Sequence, residues 1–288
     1  MPGYVFHSVP AELADVVEAI WHADFPDAGA ARSMVLPVVS PILCFHYRSA
    51  PLLRMGGPDR ERLIDPGGYR MTGICSAAAR IRANGPVGGV MVRLHPEGAT
   101  RLRGVSLREL AEGAAALGDV FSDGEMSLLD EQLLEGAGMA ARVGAVQRFL
   151  LDHLSERESD PLACAAASAL RRESSVSVRH LAGHLDVSER HLTRRFQASF
   201  GTSPKRFARI ARLRVAVRTG RRNGWADTAA ACGFSDQAHM VNEFTAMVGM
   251  APDELFRATS LGIQRAAGLS RSESDFFNTF VAERSTLA

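Results

Sequence analysis

Four polar side chains, Arg190, Thr193, Arg194 and Gln197, recur at i, i+3, i+4 and i+7 in the stretch "SERHLTRRFQASF". On a helix that spacing puts them on one face, while Leu192, Phe196 and Phe200 recur every fourth residue on the opposite side and must pack inward. The outer face then carries two forked guanidiniums, a hydroxyl and an amide, the groups that pair with base edges in a DNA major groove. Ahead of it, Val178, Leu181, Ala182 and Leu185 make an apolar face over two turns, with Ser177 as N-cap. "DVS" reads as a short turn, and Ser188 caps the following helix with Glu189 in its first turn. Two short helices with such a face near the start of the second have the form of a helix–turn–helix reader. For one isolated copy, a solvated basic face on an ordinary helical bundle is the better account.

The chain holds a second copy. A shift of 48 residues pairs Ala182 with Ala230, His191 with His239, Leu192 with Met240 and Phe196 with Phe244, and also Gly201 with Gly249 and Pro204 with Pro252. In this twin, "GFSDQAHMVNEF" (233–244), the inward positions stay apolar or aromatic while the outer face loses its charge. Arg190 becomes Ala238, Thr193 becomes Val241, Arg194 becomes Asn242 and Arg195 becomes Glu243; Lys205 and Arg206 become Asp253 and Glu254. Between the copies, "GTSPKRF" ends one helix at Gly201 and opens the next with Ser203 as cap and Pro204 in its first position. Lys205 and Arg206 stand at that start, where free N–H groups and positive charge can hold a phosphate. A helix from Pro204 to Gly220 would be ~26 Å long. Successive major-groove faces lie ~34 Å apart, so this helix would be a rigid spacer, with a mild bend in the DNA.

The elements that must carry these faces divide the chain in two. Residues 176–260 hold 13 Arg and Lys against 7 Asp and Glu, and the remainder holds 20 against 25, so the formal net charge of +1 hides a basic unit on an acidic body. That split suits a polyanion partner for one part only. In the first hundred residues, "ILCFHYR" (42–48), "YRMTGIC" (69–75), "AARIRAN" (78–84) and "GVMVRLH" (89–95) read as strands between Gly, Pro and Asp clusters, which predicts a small antiparallel barrel or sandwich. "GPVGGV" (85–90) reads as a turn. Leu13, Val16, Val17 and Ile20 at i, i+3, i+4 and i+7 predict a helix over 11–20. From about 106 onward, "SLRELAEGAAAL", "GEMSLLDEQLLEG" and "MAARVGAVQRFLLDHLSER" read as helical, and a boundary falls near 155–160 at "SERESDP". The fold class is therefore α+β in two domains: a β-barrel or sandwich, cupin-like, with flanking helices, then an all-α tandem helix–turn–helix.

No stretch is long enough for a membrane span, since "SMVLPVVSPILCFHY" (33–47) is cut by Pro37 and Pro41. The first residues lack a basic run, so no signal peptide is expected. Cys44, Cys75, Cys164 and Cys232 show no paired spacing, as for reduced thiols in a cytoplasmic protein. Cys44, His46 and His95 lack metal-ligand spacing and read as strand-packed residues, so no cofactor is expected. Trp21, His46 and Tyr47 are the candidates for a ligand pocket, although core packing is the commoner role for aromatic side chains such as Trp21 and Tyr47.

The stretches "HLAGHLDVSERHLTRRF", "FGTSPKRF", "RLRVA" and "ACGFSDQAHMVNEFTAMVGMAPDEL" together resemble the AraC/XylS family of transcription regulators. The resemblance implies a domain over 159–260 with two helix–turn–helix units, at about 177–200 and 226–248. It also implies a sensor domain over 1–105, a helical linker or dimerisation region over 106–158 and a tail over 261–288. Carried over by position, the base-reading residues are Arg190, Thr193, Arg194 and Gln197, then Gln237, Ala238, Val241 and Asn242. Ser188, Arg195, Lys205, Arg206 and Ser235 would meet phosphates. The implied partners are double-stranded promoter DNA, RNA polymerase, an unidentified small-molecule effector and a second copy of the chain. The rival readings are an alkyl-acceptor enzyme with a reactive Cys, which needs an activated thiolate, and a partner-binding module that uses the helical stretch 139–172 or "FFNTF" (276–280).

Overall fold

The computed structural model describes residues 3–26, 28, 32–55, 62–64, 68–83, 85–155, 159–173, 175–259 and 280–283. Its N-terminal part is built from strands β1 (Gly3–His7), β2 (Val17–Phe25), β3 (Arg32–Val35), β4 (Ile42–His46), β5 (Leu52–Met55), β6 (Arg62–Ile64), β7 (Tyr69–Thr72), β8 (Ala79–Arg82), β9 (Val87–Leu94) and β10 (Ala114–Ala116). The first sheet has the order β1-β2-β9-β4-β7-β10; the second has the order β3-β8-β5-β6, extended at β3 by β11 (Phe280–Glu283). Every pairing is antiparallel.

Period-two alternation splits the first sheet into two buried faces. Ile20, Leu43, Phe45, Met71, Val90 and Val92 point one way, into the main core. Trp21, Ile42, Cys44 and Met91 point the other way, toward the second sheet. Sealing each of the large apolar side chains from water contributes about 1.5–3 kcal/mol. β9 is therefore apolar apart from Arg93, whereas β2 alternates, with Ala19, Trp21, Ala23 and Phe25 separated by Ile20, His22 and Asp24.

That double burial corrects the expectation of a helix over 11–20. Ala11–Leu13 is a single 3-10 turn and Val17 already opens β2. Leu13, Val16, Val17 and Ile20 are all buried, but the helical spacing is a coincidence of a turn feeding a strand with two covered faces. The expected helix from 106 is also absent: 106–113 is a chain of turns, followed by β10 on β7. Glu112 holds a left-handed φ of 56° there, which a continuing helix cannot accommodate. The stretch "GPVGGV" contributes the start of β9.

Helices take over after β10. They are the single turn α1 (Pro96–Ala99) within the sheet region, then α2 (Asp123–Glu135), α3 (Met139–Asp152), α4 (Pro161–Arg172), α5 (Val178–His184), α6 (Glu189–Phe200), α7 (Pro204–Asn223), α8 (Trp225–Ala231), α9 (Gln237–Val248) and α10 (Pro252–Thr259). A capping box at Ser122 and Glu125 starts α2. One continuous core runs from the first sheet through α3 and α4 into α6, and includes Phe45, Phe149, Leu170, Phe196, Phe200 and Phe207. No helix among the described residues is long and apolar enough to cross a membrane. Of the tail, 260–279 and 284–288 lie outside the described residues, and so does "FFNTF" apart from Phe280.

Candidate nucleic-acid interface

The first unit is α5, a turn and α6. Ser177 accepts the His180 N–H and Ser188 accepts the His191 N–H, so both expected caps are formed. Leu192, Phe196 and Phe200 are fully buried, and the Phe196 and Phe207 rings meet edge to face at 5.2 Å. Opposite them, Arg190, Arg194 and Gln197 are exposed and Thr193 is half-buried. The Arg194 guanidinium is steadied by His191 Nδ1 at 3.2 Å. The four predicted base-reading residues of this unit therefore share one open face.

The second unit, α8 and α9, repeats this plan with one residue more. Asp186 and Gly233 are the left-handed turn residues, with φ of 52° and 72°, and Val187 N–H donates to Ala182 O as Phe234 N–H donates to Ala229 O. These pairs are 47 apart, whereas Ser188 and Asp236, Leu192 and Met240, and Gly201 and Gly249 are 48 apart. The pairing of Ala182 with Ala230 is thus corrected: buried Ala182 corresponds to buried Ala229, and Ala230 is exposed. The extra residue is Ser235, whose hydroxyl lies 2.9 Å from His239 Nδ1 and donates to Asp236. Asp236, not Ser235, caps α9, by accepting the His239 N–H at 2.7 Å. That hydrogen bond holds its carboxyl below the usual range. Gln237, Ala238 and Asn242 are exposed and Val241 is half-buried, so this reading face is neutral and begins with an anion.

The phosphate-side candidates separate into free and tied groups. Ser203 caps α7 and Pro204 takes its first position, which leaves Lys205 exposed at the helix start. Arg206 instead bonds Glu112 of the sheet domain at 3.4 Å. Arg195 is tied to Asp160, the N-cap of α4, at 2.5 Å. Burial alone would raise the Asp160 carboxyl, but Arg195 and the Ala163 and Leu162 N–H groups hold it below its ordinary value. Glu243, at the position of Arg195 in the twin, bonds Arg209 of α7 at 3.1 Å. The same position thus anchors each recognition helix to a neighbour, with opposite charge. The spacer helix runs to Asn223, past the expected end at Gly220, and is about 30 Å long. Gly220 serves close approach: a Cβ there would lie 2.0 Å from Trp225.

In the sheet domain, a cavity of 70 Å3 lies between the sheets, with walls almost wholly apolar. Of the three pocket candidates only Trp21 lines it, together with Cys44, Leu36, Ala77 and others. His46 is buried against Gly68 O, and burial pushes its pKa down to about 4. Tyr47 lies under the Arg142 guanidinium at 4.3 Å. The spacing of Cys44, His46 and His95 is now explained: His46 pairs with Gly89, and His95 is six residues further along, about 20 Å away. No group of three metal-binding side chains occurs among the described residues. Burial pushes all four thiols up, the reverse of what a nucleophilic Cys requires.

The outer side of that cavity wall meets the second unit. Leu36 packs with Leu213, Val217 and Phe244, and Ala78 N–H donates to Met247 O at 2.9 Å.

Residues 181–258 match the family model described as a helix-turn-helix domain, and this part of the chain is a helix–turn–helix domain. Nothing matches among curated proteins. Among solved structures the chain is similar to ToxT from Vibrio cholerae, with 11% identity over 82% of this chain and 97% of that one and a TM-score of 0.44. A structure of wild-type ToxT with unsaturated fatty acid bound gives 11%, 82%, 93% and 0.43. A probable AraC family transcriptional regulator from Rhodopseudomonas palustris gives 24% identity over 34% of this chain and 96% of that one, with a TM-score of 0.30.

Proposed function

We propose that this chain regulates transcription by binding promoter duplex DNA through α6 and α9, under the control of a small apolar effector. The observation that carries the reading is the outer face of α6, where Arg190, Thr193, Arg194 and Gln197 stand clear of a fully buried Leu192–Phe196–Phe200 seam. Arginine pairs with guanine and the Gln amide with adenine in the major groove. The second helix adds Gln237 and Asn242, with Ala238 and Val241 suited to a thymine methyl group. Ser188 and Lys205 at helix starts, with Ser235, meet phosphates.

Effector control is supported by the cavity between the sheets. Its walls suit an apolar molecule, and Leu36, Ala77 and Ala79 belong to the segments that hold α9. A ligand that moves this wall would change how the second unit presents itself. The protein acts in the cytoplasm, where RNA polymerase and a second copy of the chain are its further partners.

Selection of bound sequences from random duplex DNA, with and without cell-extract metabolites, tests the reading. A defined motif is expected, enriched differently in the two conditions. Recovery of random sequence in both would defeat it.

A further inference from the structure

The concavity in front of the first recognition helix is lined by Glu189, Arg190, Thr193, Arg194, Gln197 and Gly201 of that helix and its end, and also by Arg108. Arg108 belongs to the sheet domain, more than 80 residues earlier in the chain. We propose that Arg108 is a DNA-phosphate contact of the first unit, so that the sheet domain forms one rim of the DNA-binding surface. This rests on the DNA-binding reading above and goes beyond it, because that reading assigns the interface to the helical domain alone.

The turn that carries Arg108 is held from both sides. Leu107 and Leu110 are buried in the core shared with α6. Gly201, which ends α6 with a left-handed φ of 69°, lies so close that a Cβ there would stand 2.6 Å from Leu107 O and 2.8 Å from the Arg108 Cα. Further along the turn, Glu112 accepts the Ser76 N–H at 2.9 Å with one oxygen and bonds Arg206 with the other. The Arg108 backbone is therefore fixed against the end of the recognition helix, while its side chain is exposed. Glu109, next in the chain, does not line the concavity, so Glu189 at the start of α6 is the one carboxylate among three arginines there.

Groove dimensions assign the contact to phosphate. A helix with its side chains is 10–12 Å across and the major groove is about 12 Å wide. A group flanking the helix therefore meets the groove's edge, where the phosphates are, and not its floor. The same turn ties up Arg206 through Glu112 and presents Arg108 in front of α6. One loop thus withdraws a cation from the start of α7 and supplies another beside the reading face.

The test uses the full chain on two duplexes of equal length, one with the selected motif and one scrambled. Arg108→Gln is expected to weaken binding to both by the same factor and to make the salt slope shallower by about 0.9. The ratio of wild-type to variant affinity then shrinks about 3.5-fold between 50 and 200 mM salt. Arg108→Lys should keep the slope, and Arg148→Gln, an exposed site on α3, should leave both duplexes unaffected. An unchanged slope in Arg108→Gln, or a loss confined to the selected motif, overturns the proposal. If Arg194→Ala relaxes base preference while Arg108→Gln behaves as wild type, only this proposal falls. If the full chain binds neither duplex, the DNA-binding reading falls with it.

Discussion

Leu192, Phe196 and Phe200 of the first unit correspond to Met240, Phe244 and Val248 of the second, and all six are buried. Outside that seam the two units diverge. The first has arginines on its face and a neutral cap, and it shares one core with the first sheet and its helices. The second has a neutral face and an anionic cap. Its apolar residues split between a small cluster of Ala229, Cys232, Phe234 and Met240 around Ala216 of α7 and a patch that leans on Met34 of β3 and Leu36 just after it. Buried positions are constrained by packing, since a core tolerates little change in volume or polarity. Exposed positions are free to diverge, and here they diverge in charge. One unit is suited to supply affinity and stays fixed to the body, whereas the other is suited to supply fit and sits where a cavity wall can move it.

The largest effect should come from the shared seam. Phe196→Ala and Phe244→Ala are each expected to cost about 3–5 kcal/mol of folding stability in denaturant melts. Hydrogen exchange sharpens the contrast: Phe196→Ala should loosen amides in the first sheet, and Phe244→Ala those of α9 and β3. Identical exchange maps would mean that the cores are not separate.

Next in size are the reading faces. Arg194→Ala should lose ~1–3 kcal/mol of specific binding and relax preference at one base position. Asn242→Ala should lose less in the same competition assay, and equal losses would break the inequality between the units.

The caps come third. Ser188→Ala should cost about 1 kcal/mol of stability at any pH. The cap at Asp236 is pH-dependent, because its carboxyl is held below its ordinary value by the His239 N–H. Its contribution is full above the ordinary carboxyl range and is lost as pH falls through the lowered value. Amide signals at the start of α9 should therefore shift in acid before those at the start of α6.

The smallest expected effect on folding is that of Asp236→Ser, since Asp and Ser cap about equally well. This variant should nevertheless bind duplex DNA more tightly than wild type, because it removes an anion from the second unit's approach to phosphate. Weaker binding would show that the anionic cap is not a handicap on DNA.

Much of the helical half was legible in the residues. Ser177, Ser188, Ser203, Pro204 and Gly201 sit where expected, because caps and stops are made by hydrogen bonds that reach only two to four residues. The strands 42–46, 69–72 and 79–82 fall within the stretches read as strand, and 87–94 overlaps the fourth but begins two residues earlier, inside the stretch read as a turn. The start of β2 imitates a helix because Leu13 and Val16, buried in the turn before the strand, stand at helical spacing from Val17 and Ile20. Ser235 was missed as an insertion because Asp186 and Gly233 reach the same left-handed turn with different chemistry. Arg195 and Arg206 looked free because Asp160 and Glu112 lie 35 and 94 positions away.

Residue type at helical spacing is enough to set the two seams, their caps and the unequal charge of the two outer faces. The tertiary structure alone decided which cations stay free, that Arg108 joins the first unit's face, and that each recognition helix ends against a different part of the sheet domain. An ion pair or a docking contact is set by which distant segments the shared core brings within a few ångströms, and spacing along the chain carries no record of that distance.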